Sequence, residues 1–223
     1  MRTILSLCDY SGTWSRPYLD LGYNVIRVDP KLTTGVMSDG GYAYGMTAHE
    51  FLKKLPAMTY IGVLAAPPCT DFSGSGARWW AEKDMDGRTL KSTKIVHDCL
   101  QIIERVKPEF WALENPVGRL QKLVPQIGDR KMLFHPWEYA GWATDPANEA
   151  YTKKTILWGN FNTELERNQV EPIMYESAGK RGSKLWYSYG GSSERTKEAR
   201  SKTPEGFSIA FSKANSGVLR IVA

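Results

Sequence analysis

The stretch "RTILSLCDYSGTWSRPYLDLGYNVIRVD", residues 2–29, decides the fold class. The apolar runs at its two ends are predicted strands, and they end in Asp9 and Asp29. The segment between them suits a helix, because Ser15 is a favoured N-cap residue and Pro17 fits the first helical turn. A strand, a helix and a second strand in this order predict a βαβ unit with parallel pairing.

The remainder of the chain continues this alternation of strands and helices. Further strands are predicted at 60–66, 109–115 and 154–159, helices at 47–55, 92–106 and 203–215, and loops at 31–46 and 74–91, the second loop being mobile. The helix over 92–106 has the clearest pattern, since one face carries Ile95, Cys99, Ile102, Ile103 and Val106. The predicted fold class is therefore α/β, with a mostly parallel sheet flanked by helices.

Composition narrows the class of protein. The chain has 223 residues, 42% of them hydrophobic, which suits one domain with at most a small appendage. The net charge of +5 favours a polyanionic partner. We expect no membrane span, because there is no apolar run of about eighteen residues, and no secretion signal. The three cysteines lack CxxC spacing, which disfavours a disulfide framework or a zinc site and favours a cytoplasmic setting.

Chemically capable residues follow the predicted strands. In parallel sheets a ligand binds outside the carboxyl ends of the strands. Four features fall at those ends, namely 9–12, Asp29, 67–69 and 114–115. Their coincidence at one predicted edge is the strongest indication of a functional site.

Cys69 has the setting of a nucleophile. Two prolines precede it, which fix φ and remove backbone donors, so the loop is stiff and presents the thiol from a set direction. Cys8 and Cys99 are instead interpreted as ordinary buried residues, one in a strand and one on an apolar helix face. Glu114 ends an apolar strand, and burial there raises a carboxyl pKa and makes the group a candidate proton donor.

Asp29 and Gly12 indicate a nucleotide-type cofactor. An acid at the end of a second strand accepts hydrogen bonds from ribose hydroxyls, and a glycine lets the backbone turn tightly against a ligand. The full GxGxxG pattern is absent, which favours S-adenosylmethionine over NAD. An ordinary turn or cap residue is the alternative interpretation of Asp29.

The motif series "DYSGT", "VIRVD", "APPCTDFS", "ALENPVG" and "YTKKTILWG" resembles that of the DNA cytosine carbon-5 methyltransferases. The likeness runs over about 3–215 and is closest to the compact forms of phages and prophages. The segment "SKTPEGFSIAFSKAN" also resembles the terminal segment of those compact enzymes. The resemblance implies a Rossmann-like methyltransferase fold, S-adenosylmethionine as cofactor and methyl transfer to carbon 5 of a cytosine that is flipped out of DNA.

The resemblance also assigns roles to residues of this sequence. Cys69 would add to carbon 6 of the cytosine, and Glu114 would contact N3 and the exocyclic amine, with Lys153 as a third catalytic residue. The implied cofactor-binding residues are Asp9, Tyr10, Ser11, Gly12, Thr13, Asp29, Pro30 and Pro68. The implied DNA-binding residues are Ser73, Arg78, Trp80, Lys154, Lys184, Arg195 and Arg200, and the loop after Cys69 would close over the flipped base. No metal is implied.

Two positions depart from the family pattern. A Gln-x-Arg-x-Arg motif is usual before the late strand, and here Lys153 and Thr155 occupy the arginine positions. A lysine can hold a base oxygen or a phosphate, but not bidentately. The acid that contacts the adenine amine is replaced near Thr47.

The predicted organisation has three parts: a catalytic core at 1–159, a small target-recognition-like segment at 160–202, and a terminal helix at 203–223 that completes the core. In the middle part, basic and aromatic residues interleave, as suits contact with phosphates and bases. Its members are Lys180, Arg181, Lys184, Arg195, Lys197, Arg200 and Lys202 around Trp186, Tyr187 and Tyr189. A solvated loop is the alternative.

Other functions stay open from the sequence. A cytosine nucleotide or RNA could be the substrate of the same chemistry, and the replaced arginines also fit a non-catalytic DNA-binding relative. A cysteine hydrolase is disfavoured, because no histidine lies at a partner motif. We expect the cytoplasm of a bacterial host or phage-infected cell, no obligatory protein partner, and a role in restriction-modification, its evasion, or a regulatory mark.

Overall fold

A computed structural model of the chain describes residues 2–177, 180–185 and 193–217. Within these ranges only the backbone is described for Ser177, Lys180, Arg181, Ser183, Glu194, Arg195 and Lys197. The predicted aromatic contacts Trp186, Tyr187 and Tyr189 lie outside the described residues, as does the end of the predicted terminal part.

The core is an eight-stranded sheet with the order β3-β4-β2-β1-β5-β6-β8-β7. Its strands are β1 Thr3–Leu7, β2 Asn24–Val28, β3 Gly35–Val36, β4 Tyr42–Tyr44, β5 Tyr60–Ala65, β6 Phe110–Pro116, β7 Met132–Phe134 and β8 Thr155–Asn160. A separate hairpin is formed by β9 Met174–Ser177 and β10 Lys180–Ser183.

The five central strands run parallel. Leu7 at the end of β1 pairs with Val28 of β2 and Ala65 of β5, and Ala65 pairs with Leu113 of β6. Strand β8 enters antiparallel between β6 and β7, and β3 is an antiparallel edge. This topology confirms the predicted fold class, α/β with a mostly parallel sheet flanked by helices.

Helices cover both faces of the sheet. They are α1 Arg16–Asp20, α2 Ala48–Lys54, α3 Trp80–Met85, α4 Arg88–Val106, α5 Leu120–Leu123, α6 Pro146–Glu149, α7 Glu194–Ser201 and α8 Glu205–Asn215. The predicted apolar face of α4 is confirmed: Cys99, Ile102 and Ile103 are buried, and Ile95 and Val106 pack at its margin. None of the described helices is long and apolar enough to cross a lipid bilayer.

The core divides into one cluster on each face of the sheet. Helices α2 and α4 bury the first face with Phe51 and Val96. On the second face Trp14, Phe207 and Phe211 bring α8 against the sheet, and the Phe207 ring stacks on Phe134 with 3.9 Å between ring centres. Helix α8 therefore packs into the core, as the predicted terminal helix would.

Three predictions of local structure are wrong. The segment 31–46 contains β3 and β4, because β4 pairs with β2 and brings Ala43 into the core. The mobile loop at 74–91 contains a 3-10 turn at Gly74–Trp79, helix α3 and the start of α4. Cys8 follows β1 instead of lying in it, and has φ of +58°.

We expect Phe207→Ala to lower the free energy of unfolding by about 3–5 kcal/mol, because a fully buried aromatic ring leaves a cavity. Urea denaturation followed by circular dichroism measures this. The control Val36→Ala changes a side chain that is 81% exposed and should stay within about 0.5 kcal/mol of the wild type. A similarly small loss for Phe207→Ala would show that α8 does not close the core.

Candidate active site

The aligned ends of the parallel strands bring four predicted site residues to one edge. Asp9 follows β1, Asp29 follows β2, Cys69 follows β5 and Glu114 lies near the end of β6. Because β6 is the neighbour of β5, the thiol of Cys69 and the carboxyl of Glu114 face the same end of the sheet and act on each other electrostatically.

The loops that carry Cys69 and Glu114 are joined directly. The buried Asn115 side chain donates from Nδ2 to the carbonyl of Pro67, at 3.0 Å. The Gly74 N–H donates to the carbonyl of Val117, at 2.9 Å. These bonds fix the nucleophile loop against the segment that follows the glutamate.

Gly118 is required for this close approach. The Arg119 N–H donates to the carbonyl of Phe72, at 3.0 Å. A Cβ on Gly118 would lie 1.9 Å from the same carbonyl oxygen. Any larger residue would push the two loops apart.

Glu114 is buried, and the negative charge of its carboxylate is only partly balanced by a nearby cation. Its side chain is 5% exposed, and the Lys153 ammonium lies 3.8 Å from Oε1. Burial raises the pKa of Glu114, and Lys153 opposes this rise. Oε1 of Glu114 and Oδ1 of Asn115 have no hydrogen-bond partner among the described residues. Buried acceptors in native proteins are normally satisfied, so this pair suits a ligand that brings donors.

Cys69 is half-buried beside two basic side chains. Burial raises the pKa of its thiol, Lys153 lowers it, Glu114 raises it and Arg200 lowers it. The cations stabilise the thiolate, which is the nucleophilic form of cysteine.

The loop that follows β1 and contains Gly12, here called the glycine loop, is held in place by the side chain of Asp9. This buried carboxylate accepts hydrogen bonds from Ser6 Oγ at 2.8 Å, the Gly12 N–H at 2.9 Å and Ser15 Oγ at 2.7 Å. The Ser15 hydroxyl is thereby used for the loop and makes no capping bond to α1. Asp9 acts in the structure as the support of this loop.

Gly12 needs both its backbone angle and its missing side chain. Its φ is +70°, and a Cβ would lie 1.9 Å from Nη1 of Arg27. Arg27 is buried and pairs with Asp39 at 2.7 Å. Sequence reasoning did not select Arg27, although a charged residue inside the apolar strand "VIRVD" was a signal. A cavity of about 310 Å³ opens here, lined partly by Ser11, Gly12, Thr13, Arg27, Lys202 and Glu205.

The other predicted cofactor residues lie at the surface of the same edge. The Tyr10 ring is 48% exposed, with the Lys31 ammonium 5.4 Å from its centre. Asp29 accepts the Lys31 N–H at 2.9 Å, and burial raises its carboxyl pKa. Pro30 and Pro68 are exposed.

Thr47, where the family has an acid, serves helix α2. Its hydroxyl accepts the Glu50 N–H, and the Glu50 carboxylate accepts the Thr47 N–H in return. This capping box gives Thr47 a structural role.

The aromatic pair after Cys69 is oriented differently from the prediction. Trp80 turns inward, with the Arg119 guanidinium 4.7 Å from its ring centre. Trp79 is 49% exposed and carries the exposed Arg78 guanidinium at 5.0 Å. The exposed ring of this pair is therefore Trp79, which the sequence reasoning left out.

The predicted DNA-binding residues are not all at the edge. Ser73 lies half-exposed in the nucleophile loop, and Lys154 is exposed beside Lys153. Lys184 donates to the carbonyl of Ala147 at 2.9 Å, which places it against α6. Arg195 belongs to α7, and only its backbone is among the described parts of the chain.

Helix α7, from the predicted recognition segment, crosses the edge. Glu198 pairs with Lys31 at 2.5 Å, next to Asp29. Arg200 contacts Ser75 Oγ at 3.4 Å through Nη2, and its carbonyl accepts from Lys153 Nζ at 3.0 Å. One helix thus contacts residues beside Asp29 and residues of the loop after Cys69. The described parts of the chain contain no group of three or more His, Cys, Asp or Glu that could hold a metal ion.

We expect Lys153→Met and Glu114→Gln to move the Cys69 pKa in opposite directions. Lys153 lowers that pKa, so its removal shifts the midpoint of thiol alkylation to higher pH. Glu114 raises it, so its removal shifts the midpoint to lower pH. The measurement is the iodoacetamide rate at Cys69 against pH, followed by peptide mass spectrometry. The exposed Lys122→Met is the control and should leave the midpoint in place. Shifts of the same sign would contradict the arrangement.

A comparison with models of protein families and with curated proteins found no match for this chain. Among solved structures, the chain is similar to a prophage-encoded Escherichia coli protein that is provisionally assigned as a DNA modification methyltransferase, at 13% identity and a TM-score of 0.49. The likeness covers 79% of this chain and 59% of that one, so the chain spans about three fifths of that protein's length. A functional assignment therefore rests on the geometry of the sheet edge.

Proposed function

We propose that the protein is an S-adenosylmethionine-dependent methyltransferase that acts on carbon 5 of cytosine in DNA. The observation that carries the proposal is the position of Cys69, on a fixed loop, beside Lys153 and the buried Glu114, whose Oε1 has no hydrogen-bond partner among the described residues. A thiol, a carboxyl with a raised pKa and an ammonium are the groups that nucleophilic addition to a cytosine ring needs.

Glu114 suits the Watson–Crick edge of cytosine. That edge presents an acceptor at N3 and donors on the exocyclic amine. A protonated carboxyl presents one donor and one acceptor side by side, and it therefore matches both groups. Because burial raises the pKa of Glu114, the protonated form is accessible nearer neutral pH.

Cys69 begins the reaction as a thiolate that adds to carbon 6. The electrons of the 5,6 double bond move toward N3, where the Glu114 proton neutralises the developing charge. Carbon 5 thereby becomes nucleophilic and would take the methyl group as its bond to the sulfonium sulfur of the bound donor breaks. Loss of the proton on carbon 5 to water then restores the double bond and breaks the sulfur–carbon bond, which frees Cys69 as a thiolate, and the proton on N3 returns to Glu114.

The residues around the glycine loop fit S-adenosylmethionine, which supplies an electrophilic methyl group when bound. A cavity lies beside Ser11, Gly12 and Thr13, and Asp29 stands where an acid can accept ribose hydroxyls. The exposed Tyr10 ring can stack on adenine, with Pro30 and Pro68 beside it. Asp9 would hold the loop and not touch the cofactor.

A polymer substrate fits the surface around Cys69. Carbon 6 is blocked within a base stack, so the base must be flipped out. The exposed Arg78 and Lys154 and the half-exposed Arg200 lie where phosphates would pass, and the Trp79 ring offers a stacking surface. The small size of the predicted recognition segment, 160–202, favours a short DNA recognition sequence.

Cys69→Ser should abolish methyl transfer and prevent trapping on DNA that contains 5-fluorocytosine, because fluorine blocks the release step only after the sulfur has added. The measurements are tritiated methyl transfer and a gel shift that survives denaturation, each on duplex DNA, RNA and dCMP. The control is Cys99→Ala, buried on α4, which should still trap. Methylation by the Cys69→Ser protein would refute the mechanism, and labelling of RNA or dCMP alone would refute the substrate.

Gly12→Ala should weaken S-adenosylmethionine binding by at least about tenfold in calorimetry, since the new methyl group displaces Arg27 and the loop. Gly22→Ala is the matched control, because Gly22 also has a positive φ, of +81°, but nothing lies within 4 Å of a Cβ. Both variants should lose about 1 kcal/mol of stability from the backbone angle, and only Gly12→Ala should lose binding. Wild-type affinity in Gly12→Ala would place the cofactor elsewhere.

A further inference from the structure

A buried ion pair lies directly beneath the nucleophile loop. Asp71, two residues after Cys69, and Lys83, on α3, are both buried, with 3.1 Å between Oδ1 and Nζ. Lys83 Nζ also donates to the carbonyl of Thr70, at 2.5 Å. The same ammonium thus holds a side chain and a backbone group of the loop.

Two other elements hold Asp71. Ser92 on α4 donates from Oγ to Oδ2 of Asp71, at 2.5 Å. Arg119, five residues after Glu114 in the chain, donates from Nε to the Asp71 carbonyl at 3.1 Å. Its Nη1 and Nη2 each donate to the Asp84 carboxylate, at 2.8 Å. Asp71 is therefore tied to α3, to α4 and to the segment after β6.

The cluster is coupled to Cys69 by the backbone. The carbonyl of Cys69 accepts the Phe72 N–H at 3.0 Å and the Ser73 N–H at 2.9 Å. Residues 69–73 therefore form one tight turn, and Thr70 and Asp71 are its middle. A shift of the middle of the turn moves the Cys69 side chain relative to Glu114.

Stability alone does not explain a buried ion pair here. Desolvation of two charges costs about as much as their attraction returns, and well-packed neutral side chains of similar size are often as stable. Compared with a neutral pair, the ion pair restricts the backbone of the turn more strongly, because its bonds can form in only one geometry of residues 69–73.

We propose that Lys83 and Asp71 are positioning residues that hold the Cys69 thiol in line with Glu114. The inference rests on the proposed function for its meaning in catalysis. The two residues contact neither the loop that contains Gly12 nor, in the proposed mechanism, the base.

The test uses the double variant Lys83→Met/Asp71→Asn, which removes both charges and keeps side chains of similar size. We expect kcat for DNA methylation to fall about 100-fold, as a displacement of about 1 Å can cause. KM for S-adenosylmethionine should stay within about twofold, because the cluster does not reach the glycine loop. The control Arg88→Met breaks the exposed ion pairs to Glu82 and Asp86 in the same helices and should keep the wild-type kcat.

Cys69 alkylation tests the positioning without any methyl transfer. In the double variant the midpoint or the rate of alkylation at Cys69 should change, because the thiol moves relative to its burial, Lys153 and Glu114, and the rate at Cys8 should not change. If the wild-type protein transfers no methyl group, the proposed function fails while this measurement still decides the positioning. An unchanged midpoint and rate at Cys69 in a folded double variant would overturn the inference.

Ser92→Ala gives the same test with a milder change, should the double variant not fold. It removes one hydrogen bond to Asp71 and leaves the ion pair. We expect kcat to fall about fivefold, which corresponds to the loss of about 1 kcal/mol. A wild-type kcat together with a wild-type Cys69 midpoint in Ser92→Ala would also overturn the inference.

Discussion

The parallel register of four strands is the constraint on which the site depends. Leu7 pairs with Val28 and with Ala65, and Ala65 pairs with Leu113. Strands β1, β2 and β5 therefore stop at the same level, where β6 has Leu113, and the residues beyond this level emerge at one edge. A slip of one residue would turn every side chain of a strand to the other face. The apolar clusters on both faces oppose such a slip, so packing of the core also sets the alignment of the chemical groups.

Charge balance at the edge follows from that alignment. Glu114 is carried into the sheet by an apolar strand, where burial raises the pKa of its carboxyl. Lys153, from the loop before β8, lies close enough to both Glu114 and Cys69 to act on each. Its single charge lowers the pKa of both groups. One lysine therefore balances the charge of two groups of the edge at once.

The sequence predicted what short-range patterns encode. Asp9, Asp29, Cys69 and Glu114 could be found because each follows or ends an apolar run, and strand ends meet in a parallel sheet. Helix α3 could not be found, because it has little apolar periodicity and is held by partners distant in the chain, among them Asp71 and Arg119. The same holds for the choice between Trp79 and Trp80, which depends on where the Arg119 guanidinium lies.

The two sides of Cys69 are held with very different strength. Below it, buried charged bonds fix residues 69–73, and removal of one partner from such a pair costs about 3–5 kcal/mol. Above it, α7 is attached through the Lys31–Glu198 pair, whose side chains are about half exposed and which is therefore worth at most about 1 kcal/mol. The bond from Lys153 Nζ to the Arg200 carbonyl and the contact of Arg200 with Ser75 add two single hydrogen bonds. Residues 69–73 are therefore the more firmly held side of Cys69, and a movement that admits a ligand to the edge would cost least on the α7 side.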